Sequence, residues 1–392
     1  MSNNVIVSFS RTPIGSFLGA LSTISASHLG AAAIKGVIKN AQIDKAQINQ
    51  VIMGNVLSAG VGQAPARQAS IYAGLPEDVD CLTINKMCGS GLQAIMLADE
   101  IIKNNPDKVI ITGGMESMSL SPHYLLNSRT GTKLGEGKIV DGMIIDGLWD
   151  VYNNKHMGNC AEMCAGEYSI SREEQDEYAI KSYKRAQEAI SSKKFDSEIT
   201  PVEVTTKNEV IIIDTDEEPS RVSFDKLQML RPVFQKDGSV TAGNASTIND
   251  GAAACLIMSS GKAKDLGLKP LASIEGHCSF SQSPEWFTTS PIYSTKKLLN
   301  QTNIDINDVD LFEINEAFSV VALAAIKDLA LDMDKVNIYG GAVSMGHPIG
   351  ASGARIMCTL LNSMARENKN HGLASICIGG GEALSMLVKR IS

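Results

Sequence analysis

An internal repeat is the feature that most constrains how this chain can fold. Three pairs of segments match at nearly equal offsets of 266, 261 and 262 residues: Ile110–Met118 with Ile376–Leu384, Ile43-Asp44 with Ile304-Asp305, and Ser90-Gly91 with Ser352-Gly353. Any one match alone would be coincidence. Three matches in the same chain order indicate a duplicated chain.

Strand-like and helix-like segments alternate in each half. The segments of the first half are, in order, the strands 5–7, 51–53, 81–84 and 109–112, with helices at 28–40 and 91–102. The run Val109–Thr112 is continuously apolar, as expected for a strand covered on both faces. This alternation favours mainly parallel or mixed sheets with helices outside them. Combined with the duplication, it predicts two sheets in a layered sandwich.

The middle of the chain has a different character. Residues 121–244 are richer in Gly, Asn and charge, with one clear helix whose start is marked by a capping box between Ser171 and Glu174. The apolar run Gly251–Met258 then supplies one more strand to the first half. The predicted domains are an N-terminal half of 1–120 plus 245–268, an inserted loop domain of 121–244, and a C-terminal half of 269–392.

Composition excludes several classes of protein. The formal net charge of −8 argues against a nucleic-acid surface. No apolar run approaches the roughly 20 residues that span a bilayer, and the N-terminal segment reads as a first strand instead of a signal peptide. The eight cysteines are scattered, and Cys160 and Cys164 lack a nearby second pair for zinc, so no metal is expected. We expect a cytoplasmic protein with free thiols.

Cys88 is the first candidate for chemistry, within the run Asn85–Gly91 (Asn-Lys-Met-Cys-Gly-Ser-Gly). The run opens a predicted helix, so the thiol would feel the positive end of the helix dipole, which favours the thiolate. The following glycines would let a substrate approach and leave the Cys88 N–H free to stabilise an oxyanion. A structural cysteine beside a Gly-rich turn would have the same sequence.

His347 is the second candidate. It lies in the run Tyr339–Gly353, between a predicted strand at Val336–Ile338 and a helix beginning near Ser352. Histidine can take a thiol proton because its ordinary pKa is near neutral pH. The five glycines of this run would be costly to order unless the backbone packed around a ligand. A phosphate-binding loop is the rival interpretation, but the lysine of a P-loop is missing.

Cys377 and Asn315 complete the set. Cys377 ends the strand-like run Ser375–Ile378, and a second thiol at an active site can act as an acid or base. Asn315 follows the run Val309–Ile314 and could donate to an oxyanion or hold a water that does. Each alone is also compatible with core packing. All four candidates fall at the ends of predicted strands in an α/β scaffold, where active sites gather.

Six motifs give the chain a resemblance to the thiolase family over nearly its whole length: Asn85–Gly91, Gly243–Ser246, Asn249–Ala254, Asn315–Phe318, Gly346–Pro348 and Cys377–Gly381. The resemblance implies an α/β fold in which two homologous halves form a layered αβαβα sandwich, with a loop domain inserted after the first half. That organisation agrees with the duplication.

The resemblance also implies an activity, the reversible condensation of two acetyl-CoA molecules to acetoacetyl-CoA and CoA, with no cofactor. His347 would deprotonate Cys88, which becomes acylated. The N–H groups of Cys88 and Gly379 would form one oxyanion hole, and His347 with a water held by Asn315 would form the other. Cys377 would remove or supply the α-proton.

For coenzyme A, the resemblance implies a binding site in the insertion and around it. Its expected residues are His156, Met157, Arg221, Phe234, Ser246 and Phe318. The match at Arg221 needs a gap, and core packing would also explain Phe234 and Phe318. A homotetramer, a dimer of dimers, is implied as well, with Pro122–Asp146 as the tetramer-forming loop.

Two departures from the family pattern leave the acyl chain length open. Gly-Gly-Gly-Glu-Ala at 379–383 replaces the Gly-Gly-Gly-Met-Gly of many short-chain members. Phe287 lies near the position where some acetoacetyl-specific members have methionine. A longer-chain 3-ketoacyl-CoA thiolase of fatty-acid β-oxidation is the nearest alternative, whereas His156-Met157 favours the acetoacetyl class.

More distant alternatives fit the sequence less well. A ketoacyl-carrier-protein synthase has its histidines in other motifs. A non-catalytic, lipid-binding thiolase-like protein would lack at least one of Cys88, His347 and Cys377, and all three are present. A cysteine peptidase of the papain type would have an aromatic residue after its cysteine motif.

Overall fold

The computed structural model describes residues 4–207 and 209–391. Residues 1–3, 208 and 392, which the domain prediction assigns to the N-terminal half, the insertion and the C-terminal half, lie outside the described residues. Among the described residues, no helix combines the length and the hydropathy needed to cross a membrane.

The strands are β1 (Asn4–Arg11), β2 (Gly15–Ser16), β3 (Gln50–Gly54), β4 (Asp80–Ile84), β5 (Val109–Ser117), β6 (His123–Leu125), β7 (Ile139–Asp141), β8 (Trp149–Asp150), β9 (Lys155–His156), β10 (Val202–Thr205), β11 (Val210–Ile213), β12 (Asn249–Ser259), β13 (Ala272–Ser281), β14 (Leu311–Ile314), β15 (His371–Ile378) and β16 (Glu382–Arg390).

The α-helices are α1 (Ala26–Ala41), α2 (Pro65–Tyr72), α3 (Ser90–Asn104), α4 (Met157–Glu167), α5 (Arg172–Ser191), α6 (Phe224–Leu227), α7 (Ser260–Asp265), α8 (Ser290–Thr302), α9 (Ser319–Asp328), α10 (Ala342–Met345) and α11 (Ser352–Arg366). Short 3₁₀ turns lie at Lys45–Gln47, Glu218–Ser220, Pro284–Thr289, Ile306–Asp308 and Met333–Lys335, and a π-helical turn at Ile144–Leu148.

Four strands of each half have the same arrangement, which confirms the duplicated α/β fold. In the N-terminal half, β3 lies between β4 and β5 and is parallel to both, and β12 is antiparallel to β5 and β1. In the C-terminal half, β14 is parallel to β15, and β16 is antiparallel to β15 and β13. The run at 251–258, predicted to return to the first half, lies in β12.

The expectation of two separate sheets is wrong in one detail. The sheets join where β1 meets β13, through the pairs Val5–Ser273 and Ile6–Ala272. β1 and β13 are the edge strands of their halves. Each therefore has an edge of unpaired N–H and C=O groups, and the other strand can hydrogen-bond to it.

Alternating side chains of the strands divide the core into layers. On β12, Ala254 and Leu256 pack into the outer cluster with α1 and α2, while Cys255 and Ile257 pack into a central cluster with α3 and α11. On β15 the even-numbered residues face the same central cluster, and Cys377 faces a third cluster with α8 and α9. The order helix, sheet, helix, sheet, helix is therefore confirmed.

A close approach of two helices fills the central layer. A Cβ on Gly91 in α3 would lie 2.6 Å from the backbone nitrogen of Ala354, and a Cβ on Gly353 in α11 would lie 2.4 Å from the backbone nitrogen of Leu92. These two glycines are repeat equivalents. Their lack of a side chain lets the N-terminal ends of α3 and α11 touch.

One predicted strand is wrong. Residues 336–338 do not form a strand, because Asn337 adopts a left-handed φ of 48° and its side chain takes over the pairing. Its Oδ1 accepts from the Ile314 N–H at 2.9 Å, and its Nδ2 donates to the Ile314 carbonyl at 2.8 Å. Only a single bridge from Val336 to Phe312 remains of the pairing.

The predicted capping box at the start of α5 is confirmed. The Ser171 hydroxyl accepts from the Glu174 N–H at 3.1 Å, and Glu174 accepts from the Ser171 N–H at 2.6 Å. The helix that follows packs Tyr178 and Ser182 against a buried carboxylate, Glu316, with oxygen contacts of 2.8 and 2.9 Å. The predicted insertion thus supports the end of β14.

The contact between α3 and α11 predicts that alanine has opposite effects on stability at two helical glycines, Gly353 and Gly166. Gly353→Ala should lower the free energy of unfolding by about 1 to 3 kcal/mol, because the new Cβ overlaps the Leu92 backbone. Gly166→Ala in α4 is the matched control, since no atom lies within 4 Å of its Cβ position. This substitution should raise the free energy of unfolding by up to about 1 kcal/mol. Thermal midpoints measure both. Equal midpoints would contradict the account.

Candidate active site

Cys88 lies on a constrained turn between β4 and α3. Met87, the residue before it, has a φ of +47°, which costs a non-glycine residue about 1 to 2 kcal/mol. The turn is held by two hydrogen bonds, from the Met87 N–H to Asn85 Oδ1 at 2.9 Å and from the Lys86 N–H to Ser90 Oγ at 2.8 Å. Strain supported in this way is typical of functional sites.

Two backbone N–H groups donate toward the sulfur of Cys88, its own and that of Gly379. Gly379 belongs to the C-terminal half, directly after β15. The predicted pair of oxyanion donors is thus near the nucleophile, at the boundary of the two halves. Gly89 permits this approach, because a Cβ there would lie 2.4 Å from Ile378 Cδ1.

The expectation that the helix start favours a thiolate is wrong for the resting protein. Burial raises the pKa of Cys88 to about 11, and the two N–H donors do not compensate for the lost hydration. The nearby Glu116 carboxylate raises that pKa further. At neutral pH Cys88 is therefore a neutral thiol that needs a base when it reacts.

His347 is placed to be that base. Its Nδ1 lies 2.6 Å from Ser352 Oγ, which itself donates to the Pro348 carbonyl at 2.9 Å. Because the hydroxyl proton is used there, we assign the imidazole proton to Nδ1, which leaves Nε2 as an acceptor. Nε2 has no hydrogen-bond partner among the described residues. Burial and Arg355 lower the pKa of His347 to about 3, so the ring is neutral.

Side chains of the N-terminal half hold the loop that carries His347. Asn249 Oδ1, on β12, accepts from the His347 N–H at 2.9 Å. Glu116 Oε2, on β5, accepts from the Gly350 N–H at 2.9 Å. The loop therefore belongs to the C-terminal half in sequence but takes its position from the other half.

Cys377 and Asn315 are both fully buried, and Cys377 lies two residues before Gly379. Burial raises the pKa of Cys377 well above its ordinary range, and an ionised Cys88 would raise that pKa further. Neither Asn315 Oδ1 nor Asn315 Nδ2 finds a partner in residues 4–207 and 209–391. A buried amide without partners is costly unless a ligand or water satisfies it, which suits the predicted water-holding role.

A cavity of about 260 Å³ opens onto Cys88 and His347. Its walls are mainly apolar, and most of the predicted coenzyme A residues are among them. The lining side chains and backbone come from Cys88, Met118, Gly147, Leu148, His156, Met157, Phe234, Ala245, Ser246, Thr247, Ile248, Phe287, Ala317, Phe318, His347, Ile349 and Gly379.

An aromatic stack forms one wall of this cavity. The rings of His156 and Phe234 are stacked with centroids 4.8 Å apart, and Phe318 packs edge-on against Phe234 at 6.0 Å. His156 Nδ1 accepts from the Gly158 N–H at 3.1 Å, so its Nε2 carries the proton when the ring is neutral. Burial lowers the pKa of His156, which favours that neutral form.

Arg221 lies elsewhere. Its side chain is 54% exposed and forms an ion pair with Glu217 at 3.3 Å. Its role toward coenzyme A stays a prediction.

Sequence reasoning missed the side chains that position the candidates. Ser352 and Asn249 stand in sequence motifs without a predicted role of their own. Ser352 follows His347 by five residues at a helix start, a spacing that brings a hydroxyl back to the ring. Leu148 and Ile248, in the cavity wall, have no sequence signal beyond being apolar.

One cluster away from the cavity has the side chains of a cation site. Asp99, Glu100 and His277 offer ligand atoms within 4.8 Å of one another. The ammonium of Lys103 already lies 2.7 Å from Asp99 and 2.9 Å from Glu100. An internal cation therefore occupies the position.

Comparison with known proteins gives consistent results along the chain. Residues 4–261 match the family described as "Thiolase, N-terminal domain", and residues 268–390 match "Thiolase, C-terminal domain". The chain is 49% identical to acetyl-CoA acetyltransferase 1 of Arabidopsis thaliana over 390 residues, which cover 99% of this chain and 94% of that protein.

Two solved structures have the same fold. The acetyl-CoA acetyltransferase of Bacillus anthracis superposes with a TM-score of 0.97 at 38% identity, covering 100% of this chain and 99% of that one. The Acat5 thiolase of Ascaris suum in complex with coenzyme A superposes with a TM-score of 0.94 at 42% identity, covering 99% and 100%.

The raised pKa of Cys88 predicts how the thiol responds to pH. Because only the thiolate is alkylated, the rate of Cys88 labelling by iodoacetamide should rise about tenfold per pH unit between pH 7 and 10. Labelling is followed by peptide mass spectrometry, with Cys88→Ala as the control for the other cysteines. A rate that levels off near pH 7 would mean a thiolate at rest and would contradict the assignment.

Proposed function

The chain belongs to the thiolase family, and we propose that it is an acetyl-CoA C-acetyltransferase that joins two acetyl-CoA molecules reversibly into acetoacetyl-CoA and CoA. The observation that carries the proposal is the meeting of Cys88, His347 and Gly379 in one cavity, with the buried Cys377 two residues before Gly379. These residues come from both halves of the duplicated chain.

In the first step Cys88 becomes acylated. His347 Nε2 takes the thiol proton as the sulfur attacks the thioester carbonyl, because a resting thiol and a neutral imidazole have to exchange the proton during attack. The N–H groups of Cys88 and Gly379 stabilise the tetrahedral oxyanion. Departure of the CoA sulfur leaves an acetyl group on Cys88.

In the second step Cys377 acts on the α-carbon of another acetyl-CoA. Its raised pKa makes it a neutral thiol at rest, so it first gives its proton to the departing CoA sulfur. The resulting thiolate removes the α-proton, and the enolate attacks the acetyl carbonyl on Cys88. A water held by Asn315, together with His347, stabilises the enolate oxygen, and Cys88 recovers its proton from His347. The thiolysis direction reverses these transfers.

The cavity wall supports binding of the pantetheine arm of coenzyme A. His156, Met157, Phe234, Ser246 and Phe318 form a mostly apolar passage to Cys88, with the Ser246 hydroxyl and the His156 Nε2–H as the polar groups. Apolar walls with a few placed donors are typical of such sites. In this proposal the inserted loop domain, residues 121–244, contributes to coenzyme A binding and tetramer contacts, and the two halves carry the catalytic residues.

The bulky side chains of the cavity wall support a preference for a short acyl group. Phe287 packs edge-on against Phe318 with ring centroids 6.5 Å apart, and both line the cavity together with Met157. Three bulky side chains narrow the cavity, which supports a short acyl group over a long acyl tail. The alternative, a longer-chain 3-ketoacyl-CoA thiolase of fatty-acid β-oxidation, would have to displace this wall.

A homotetramer fits the surface of the predicted tetramer-forming loop. The hairpin of β6 and β7 carries the exposed apolar side chains Leu125, Leu126 and Ile139, and Leu134 at its tip is 96% exposed. Exposed apolar clusters of this kind mark protein interfaces. All eight cysteines are free thiols, which supports the proposed cytoplasmic setting. A role in fatty-acid metabolism is part of the proposed activity.

Separate roles for the two thiols predict separable defects. Cys88→Ala should abolish acyl-enzyme formation from acetyl-CoA. Cys377→Ala should still acylate Cys88 but lose condensation by about 1,000-fold, since it removes the base of the second step. Quenched-flow mass spectrometry measures acylation, and acetoacetyl-CoA formation measures condensation. Equal loss of both steps in Cys377→Ala would contradict its separate role.

The bulky inner wall predicts an order of substrates. Thiolysis should be fastest with acetoacetyl-CoA and slower with 2-methylacetoacetyl-CoA and 3-ketooctanoyl-CoA. Phe287→Ala should reduce the difference in kcat/KM between acetoacetyl-CoA and 3-ketooctanoyl-CoA, because it removes part of the cavity wall. Values of kcat/KM for the three substrates measure the order, and a preference of the unaltered protein for the eight-carbon substrate would favour the longer-chain class.

A further inference from the structure

Glu116 and Glu382 occupy equivalent positions in the two halves of the repeat, six residues after Ile110 and Ile376. Glu116 is buried and accepts from the N–H groups of Val56, Leu57 and Gly350, and so holds the His347 loop of the other half. Glu382 also reaches across to the other half. Its Oε2 accepts from Lys86 Nζ at 2.7 Å.

This ion pair links the two turns that surround the nucleophile. Lys86 precedes Cys88 by two residues, on the turn where Met87 has its left-handed φ. Glu382 follows Gly379 by three residues, after the Gly379–Gly381 turn that donates an N–H toward the sulfur. The spacing between those turns decides whether both N–H donors reach one oxyanion.

Two further hydrogen bonds tie the Gly-rich turn to its own half. The Gly381 carbonyl accepts from the Gln282 N–H at 2.9 Å and from the Ser290 hydroxyl at 2.9 Å, and both residues belong to the C-terminal half. Ser281 Oγ donates to Glu382 Oε1 at 3.1 Å and orients that carboxylate. The ion pair to Lys86 is thus a polar side-chain contact from this network to the nucleophile turn.

We propose that Lys86 and Glu382 are a positioning pair for the acylation step. Their ion pair fixes the spacing between the Cys88 turn and the Gly379 turn. Neither side chain lines the cavity, so the pair acts through the donors it positions and not through contact with coenzyme A. The inference rests on the proposed function, because acylation of Cys88 is the step that it affects.

Charge variants of the pair test the proposal. Lys86→Met and Glu382→Met should each slow single-turnover acylation by about threefold to tenfold, with an unchanged KM for CoA, since the pair is partly exposed and affects geometry, not binding. The charge-swapped double variant Lys86→Glu with Glu382→Lys should recover to within about twofold of the unaltered rate. Glu382→Gln, which can still accept from Lys86 and Ser281, should lie in between.

Lys296→Met is the control, because Lys296 forms an ion pair with Asp328 that joins α8 to α9, and neither residue lines the cavity. It should acylate at the unaltered rate. Thermal midpoints of all variants separate a slow step from incomplete folding, and Glu382→Gln remains informative if a methionine variant does not fold.

Two results would overturn the inference while the function stands: single variants that acylate as fast as the unaltered protein, or a charge swap slower than both single variants. Absence of acylation in the unaltered protein would instead overturn the proposed function.

Discussion

The contact between the N-terminal ends of α3 and α11 is the constraint on which the rest of the structure depends. Gly91 and Gly353 allow the two helix backbones to touch, and each helix start follows directly on a turn that carries a candidate residue. Cys88 precedes α3 by two residues and His347 precedes α11 by five. Bringing the helix starts together therefore brings a thiol and an imidazole to one cavity, although they are 259 residues apart in sequence.

Burial at this contact determines the resting chemistry. Removing Cys88 from water raises its pKa, and the same environment lowers the pKa of His347, so both groups are neutral. A neutral pair protects the thiol from side reactions until a thioester carbonyl is present. The donors at Cys88 and Gly379 then stabilise charge that exists only during the reaction, which is where such stabilisation increases the rate.

Much of this could be predicted from the sequence. The repeat predicted the duplicated α/β fold, since Ile110 and Ile376 do face the same central layer. Cys88, His347 and Gly379, each placed by the sequence after a predicted strand, do meet at one cavity, although the strand predicted before His347 does not form. The failures have identifiable physical causes: Asn337 replaces strand pairing with its side chain, and burial outweighs the helix dipole at Cys88. Contacts such as Asn249 with His347 depend on tertiary geometry that spacing along the chain does not encode.

The central claim is that one particular sulfur carries the acyl group. The most direct measurement is to mix the protein with acetyl-CoA, quench in acid, digest, and locate any added acetyl group by peptide mass spectrometry. We expect a single acetyl group on the peptide that contains Cys88, and we expect CoA to remove it again. An acetyl group found only on another residue, or none on a protein that still forms acetoacetyl-CoA, would contradict it.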